Sequence, residues 1–279
     1  MARRFVLHSD PADPPADSDG LTLDYAAELN PQQLAAVTAG SGPVLIVAGA
    51  GTGKTRTLVY RVAYLIETGV PPEHIVLLTF TRRAAKAMLA RATALLDGRC
   101  ERVRGGTFHA FCVQILRRYA DRIGFERRFT ILDASDSADV LDVLRTEAGL
   151  HQSEKRFPRK RTLQAIFSAA LNRDLELADA LEERWPQYLI HLDELEDLRE
   201  QFGSFKRRNS LMDYDDLLAR TLELFDTDAE ARRVVAGSSR HVLVDEYQDT
   251  NRLQAQLVER FASVHGNVTA VGDDAQSIY

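Results

Sequence analysis

The sequence predicts an α/β fold: a parallel sheet covered by helices on both faces and interrupted by an all-helical insertion. Three observations predict it. Short apolar runs, "PVLIVA", "HIVLLTF", "RHVLVDE" and "NVTAVGD", alternate with longer segments of helical period. These runs are near-continuously apolar, as strands buried on both faces require. Between residues 123 and 210 the rhythm breaks, and helical patterns follow one another without convincing strands.

In order along the chain, "NPQQLAAVTA" reads as a short helix with Asn30 as N-cap and Pro31 at the first helical position. "PVLIVA" is a buried strand. "KTRTLVYRVAYLIETG" is a helix with Val59, Val62, Ala63 and Ile66 on one face and Gly69 as its stop. "HIVLLTF" is a second buried strand, followed by the helix "RRAAKAMLARATALLDG", which ends at Gly98. "VRGGTF" is a short strand running into the helix "HAFCVQILRRYADRIG". The insertion carries the helices "SADVLDVLRTEA", "TLQAIFSAALNR" and "HLDELEDLREQF". It also carries the basic stretch "EKRFPRKR", either a solvated loop or a contact to a nucleic-acid backbone. The helix "LMDYDDLLARTLELF" restores the α/β rhythm. The expected organisation is thus a flexible tail over 1–20, a sheet domain over 21–122 and 211–279, and the helical insertion over 123–210.

Composition sets outer limits. The chain has 279 residues, 45% of them hydrophobic, enough for one sizeable core plus a satellite. A net charge of -6 argues against a general polyanion-coating role but leaves a local groove open. Cys100 and Cys112 suggest neither a disulfide framework nor a thiol metal site, which fits a reducing cytoplasm. No apolar run approaches the roughly 18 residues of a membrane span. The N-terminal apolar stretch is too short for a signal peptide, and the Pro/Asp/Ser content of Asp10 to Gly20 predicts the mobile tail.

Two stretches carry chemistry. "VAGAGTGKT" follows a strand and opens a helix, the context of a phosphate-binding loop, although Ala48 stands where the pattern has its first glycine. The stretch Ala48, Gly49, Ala50, Gly51, Thr52 and Gly53 can turn its N–H groups toward phosphates, with Gly51 and Gly53 supplying the turn. The helix N-terminus adds its positive pole. Lys54 brings a full charge to the β/γ-phosphates, and the Thr55 hydroxyl suits Mg²⁺. "HVLVDEYQD" is an apolar strand ending in two carboxylates. There Asp245 can hold Mg²⁺ and Glu246 can orient and deprotonate an attacking water. In "VGDDAQSIY", Gln276 lies just past another strand, where it can reach a γ-phosphate.

Together "LNPQQLAAV", "AGAGTGKT", "LLTFTRRAA", "GTFHAF", "DYDDLL", "VLVDEYQDT" and "VGDDAQSIY" resemble, in order and context, the UvrD/Rep/PcrA-type superfamily 1 DNA helicases. The resemblance covers nearly all of the chain after residue 25. It implies a RecA-like P-loop NTPase domain with its helical insertion, and it does not extend to the second RecA-like lobe. It further implies ATP and Mg²⁺ as cofactors, single-stranded DNA and single/double-strand junctions as partners, 3′-to-5′ movement, and work in DNA repair or replication. It assigns adenine reading to Gln33, whose amide can pair with N6 and N7, and a place beside the nucleotide to Arg56, which by spacing alone is equally a surface helix residue. It makes Phe80 and Tyr279 platforms for bases, and Thr81, Thr107 and His109 polar contacts to the strand. Arg82-Arg83 replaces a pair that is often Asn-Lys, with Arg82 placed for a phosphate, and Ala275 replaces a residue that is often acidic. Read singly, Phe80 and Phe108 are core residues and His109 a helix cap.

Two alternatives stay open: the helicase part of a nuclease-coupled recombination enzyme, and a non-motor ATP-binding module or truncated gene product without unwinding activity. Without the second lobe, the 279 residues are expected to bind ATP weakly, turn over slowly and not unwind DNA.

Overall fold

The computed structural model describes residues 3–7, 21–96, 98–152 and 156–273. Its first elements are β1 (Arg3–Leu7), α1 (Tyr25–Glu28), α2 (Pro31–Val37), β2 (Val44–Ala48), α3 (Lys54–Glu67), β3 (Ile75–Thr79), α4 (Arg82–Leu95), β4 (Arg104–Thr107) and α5 (Phe108–Tyr119). Then come β5 (Thr130–Ile131), α6 (Ala134–Glu147), α7 (Lys160–Arg173), α8 (Leu177–Arg184), α9 (Leu192–Arg208), β6 (Leu211–Met212) and α10 (Tyr214–Thr227). The last are α11 (Ala229–Gly237), β7 (His241–Val244), α12 (Arg252–Ala262) and β8 (Val268–Gly272). The chain divides into two compact units, one of Met1–Phe111, Arg232–Thr250 and Val258–Tyr279, the other of Cys112–Ala231 and Asn251–Leu257.

The first unit is built on a six-stranded sheet in the order β1-β2-β8-β7-β3-β4, parallel throughout. All of β3 is buried, and β7 and β8 nearly so, which explains their unbroken apolar sequences. One face of α3 (Leu58, Val59, Val62, Ala63, Leu65) packs into a core with Ile46, Ile75, Leu77, Leu243 and Val271. Met88, Ala92 and Leu96 bring α4 into the same core. Each fully buried Val, Leu, Ile or Met side chain among these contributes about 1.5–3 kcal/mol.

Sequence chemistry also sets the helix starts. The Asn30 side chain accepts from the Gln33 N–H (2.8 Å), while Gln33 Oε1 accepts from the Asn30 N–H (3.2 Å). This reciprocal cap, with Pro31 at the first position, starts α2. By contrast α3 follows Gly53, which offers no side-chain cap, so its first N–H groups stay open to an outside acceptor.

The second unit packs α6, α7, α8 and α9 around Leu141, Leu163, Ile166, Leu181, Leu195 and Leu198. It encloses Lys206, whose ammonium lies 2.7 Å from Asp213 and 2.5 Å from Asp216. Asp213 also caps α10. Burial holds the Asp216 carboxyl above the ordinary aspartate range, against the pull of Lys206.

Three features differ from the sequence expectations. Arg3–Leu7, expected within a flexible tail, form the edge strand β1 in register with β2 from Arg3↔Val44 to Leu7↔Ala48. An apolar "FVL" beside an open strand edge outweighs the polar composition that follows it, and residues 8–20 lie outside the described set. Within the stretch read as all-helical, β5 pairs in parallel with β6 through Thr130↔Leu211 and Ile131↔Met212. The second unit takes in Cys112–Ala231 and Asn251–Leu257, a wider span than the 123–210 expected for the insertion. In "EKRFPRKR", Phe157 is buried against His191 and Lys160 pairs with Asp139, while Arg156 and Arg159 are exposed; Lys155 lies outside the described residues. No described helix is long and apolar enough to cross a membrane.

Candidate nucleotide site

Parallel strands send all their C-terminal ends to one edge of a sheet, where α/β folds place their ligands. In the first unit β8 lies between β2 and β7. The glycine-rich loop after β2 and the carboxylates after β7 therefore flank the tip of β8. Lys54 Nζ lies 3.0 Å from Glu246 Oε2, although the two residues stand 192 positions apart in sequence. The same ammonium lies 3.7 Å from Asp273 Oδ2, at the end of β8. Lys54 is buried, with 9% of its surface exposed, so this charge cluster is only weakly screened by water.

The loop backbone fits an anion. Gly51 (φ 78°) and Gly53 (φ 87°) take left-handed conformations. The left-handed conformation favours glycine at Gly53, and a side chain there would also lie 2.7 Å from Gln33 Nε2 and displace that amide. The loop is tied internally by the Thr52 hydroxyl, which donates to the Gly49 carbonyl (2.7 Å). Gly49, Ala50 and Gly51 are exposed, following the buried Ala48. Thr55, half-buried, is the second residue of α3.

Asp245 continues the sheet beyond β7, its N–H donating to Leu78 O (3.0 Å). Its side chain is buried, and burial with the neighbouring Glu246 charge raises its pKa from the ordinary 3.8 to about 6. Its Oδ1 atom is buried without a hydrogen-bond partner. An orphaned, destabilised carboxylate oxygen is the donor a hard divalent cation takes, so the residues present fit magnesium. No group of three or more His, Cys, Asp or Glu side chains that could hold a metal occurs among the described residues. A cation held here must therefore draw ligands from elsewhere, as magnesium does from water and phosphates.

Glu246 itself has φ 50°, a left-handed conformation that a side-chain-bearing residue rarely adopts. That turn aims its carboxylate back toward Lys54. Gln248 Nε2 donates to the same Glu246 oxygen (2.8 Å), and Gln248 Oε1 accepts from the Asp273 N–H (3.0 Å). Neither Gln248 nor Asp273 is among the expected site residues. Asp273 had the signal Asp245 had, an acid at a strand's end; Gln248 had none beyond its place in "DEYQD".

Gln33 is buried with both ends of its amide engaged: Oε1 in the cap of α2, and Nε2 donating to Thr52 O of the loop (2.9 Å). Arg56 sits against α1, donating to Glu28 O (2.7 Å) and Glu28 Oε2 (2.8 Å), with its guanidinium 5.3 Å above the Tyr60 ring. Gln276 and Tyr279 lie outside the described residues, as does Ala275.

Farther along the same sheet edge, β3 and β4 pair with Thr79 opposite Thr107. Phe80, 36% exposed, has its ring centroid 6.1 Å from that of the buried Phe108. The Thr81 hydroxyl accepts from Ala84 N–H (3.1 Å) at the start of α4, and the Thr107 hydroxyl accepts from Ala110 N–H (3.2 Å) at the start of α5. A hydroxyl that accepts keeps its own proton to donate outward. Arg82 is exposed at the first position of α4, and His109 is half-buried at the second position of α5.

Residues 29–279 match the family model of the UvrD/REP helicase N-terminal domain. The chain belongs to this family. As a UvrD/REP helicase N-terminal domain it is similar to the ATP-dependent DNA helicase PcrA of Staphylococcus epidermidis strain ATCC 35984, 39% identical over 253 residues, which is 90% of this chain and 34% of that protein. It is likewise similar to PcrA of Staphylococcus aureus strain Mu50, 40% identical over 254 residues, again 90% of this chain and 34% of the relative. The chain thus spans about a third of the length of the curated relatives it matches. The family match begins at residue 29, after β1, the edge strand beside β2.

Proposed function

We propose that this chain is the ATP-binding first motor domain of a DNA helicase, taking ATP and magnesium at the β2/β7/β8 edge and single-stranded DNA at the β3/β4 edge. The observation that supports it most is the contact of Lys54 Nζ with Glu246 Oε2 at 3.0 Å, which joins the phosphate-loop lysine to the strand-tip acid. The open N–H groups at the start of α3 and the loop from Gly49 to Gly53 receive the triphosphate. Lys54 leaves Glu246 for the β/γ-phosphates. Glu246, released, accepts a proton from the attacking water as that water's oxygen bonds to the γ-phosphorus, and the β–γ bridging oxygen departs with ADP. Asp245 and Thr55 would hold magnesium, which neutralises phosphate charge when bound. The same reading gives Gln276, outside the described residues, a contact to the γ-phosphate. Gln33 releases one of its present partners to read adenine.

Farther along that edge Phe80 offers a face to a base, and Thr81, Arg82, Thr107 and His109 hold the strand beside the starts of α4 and α5. Stacking on an aromatic is sequence-tolerant and worth about 1–3 kcal/mol per base. Junction binding, 3′-to-5′ movement, a cytoplasmic location and a role in repair or replication follow the same reading. So does the need for a second RecA-like lobe, whose arginines typically contribute about 10³–10⁵ in rate in related phosphoryl transfers.

The deciding measurement is the ATPase rate of the 279-residue chain with and without single-stranded DNA. Slow turnover with several-fold stimulation supports a coupled DNA site, and no response refutes it. In a strand-displacement assay the same chain should not unwind; brisk ATP-dependent unwinding would overturn the assignment of a single, dependent lobe.

A further inference from the structure

We propose that Gln248 is a positioning residue for ATP hydrolysis: its side-chain amide fixes the carboxylate of Glu246 to the tip of β8. The proposal rests on the ATPase reading above. Both ends of the amide are committed. Nε2 donates to Glu246 Oε2 at 2.8 Å, and Oε1 accepts from the Asp273 backbone N–H at 3.0 Å. The partners dictate the residue type. A carboxylate on one side demands a donor, and a backbone N–H on the other demands an acceptor; glutamine supplies both in one planar group. Glutamate would bring a second negative charge against Glu246, and leucine would supply neither bond.

The surroundings are cut to admit this bridge. A side chain on Gly272 would lie 3.1 Å from Gln248 Oε1 and 3.5 Å from its backbone N, so glycine at the end of β8 lets the amide close onto the strand. Glu246 stands in a left-handed conformation that needs outside support to persist (φ 50°). Its carboxylate oxygen has two partners, Lys54 at 3.0 Å and Gln248. When phosphate draws Lys54 away, Gln248 remains to keep the base aimed. Because its other end is held by Asp273 N–H, any shift of the β8 tip moves the base.

The test compares wild type with Gln248→Leu and Gln248→Glu in the 279-residue chain. Phosphate release gives kcat, equilibrium dialysis with Mg·ATP gives affinity, and thermal melting reports folding. Gln248→Leu should lower kcat by about 10- to 100-fold, the scale of losing one hydrogen bond to a charged group. Its Mg·ATP affinity should stay within about threefold of wild type, since the amide touches base and strand rather than phosphate. Gln248→Glu should be at least as impaired, because it loses the donor and sets a second carboxylate against Glu246. An unchanged kcat in either variant overturns the positioning role. A joint fall of kcat, affinity and melting temperature overturns it too, showing only a structural contribution. If the wild-type chain itself neither binds nor hydrolyses Mg·ATP, the ATPase reading fails and the proposal with it.

Discussion

Replacing Asp245 by asparagine should stabilise the nucleotide-free protein while ending its turnover. The carboxyl is buried beside Glu246, with its pKa raised from 3.8 to about 6. The folded state therefore binds this proton more tightly than the unfolded chain does. The stability the group contributes is fully present below about pH 4 and is lost as pH rises through about 6. With 1.36 kcal/mol per pKa unit, the loss reaches a ceiling of about 3 kcal/mol at pH 8. Asparagine keeps the shape and carries no charge, so it escapes that loss. Thermal melting in a metal chelator, at intervals from pH 4.5 to 8, should show Asp245→Asn melting several degrees above wild type at pH 8, the gap closing as pH falls. At roughly 2–4 °C per kcal/mol for a unit of this size, the gap is readily measured. Mg·ATP should reverse the order, since a ligand stabilises the form that binds it better. A variant that melts at or below wild type at pH 8, or a gap that ignores pH, would refute the reasoning that the carboxylate is held at a cost.

Further outcomes follow from the same geometry. Lys54→Ala should reduce ATP turnover below detection in a phosphate-release assay, because it removes the ammonium that faces the phosphates. Gly53→Ala should cost about 1–2 kcal/mol in stability, from a side-chain-bearing residue forced left-handed. It should also weaken Mg·ATP binding at least tenfold, since the new methyl would lie 2.7 Å from Gln33 Nε2; urea denaturation and dialysis check both. Phe80→Ala should lower single-stranded DNA affinity by the roughly 1–3 kcal/mol of one stacked base, with the salt dependence unchanged because no phosphate contact is lost. Fluorescence anisotropy across salt concentrations reads both. Leu195→Ala, in the core of the second unit, should cost about 2–5 kcal/mol. Its melting temperature should fall without loss of Mg·ATP binding by the separate first unit.

What could be read in advance were the features with local causes. Asn30 and Pro31 announce α2 by cap chemistry, and the apolar runs of β3, β7 and β8 announce burial on two faces. The sheet order was not legible in the same way. That β8 inserts between β2 and β7 depends on pairings between distant segments, and only that order brings Lys54 to Glu246 and Asp273. β5 and β6, two residues each, are too short for any periodic signal, and their pairing joins Thr130 to Leu211. β1 was obscured by the Pro/Asp-rich stretch after it, since composition averages over a window wider than five residues. Gln33 shows a further limit. Its cap role follows from spacing, but its second bond, to Thr52 O, depends on where the loop folds in space.

The meeting of Lys54 with Glu246 gives the proposed phosphate seat a resident competitor. On the ATPase reading, an arriving triphosphate does not find a bare ammonium; it must evict an anion already in place. Part of the binding free energy is forfeited at that step, so the ground-state complex is weaker than the charge of the loop suggests. The same arrangement works in reverse on the way out. On the proposed ATPase reading, Glu246, once it gives up the proton it received, stands ready to reclaim the lysine, and spent nucleotide loses its hold to an occupant that never has to diffuse in.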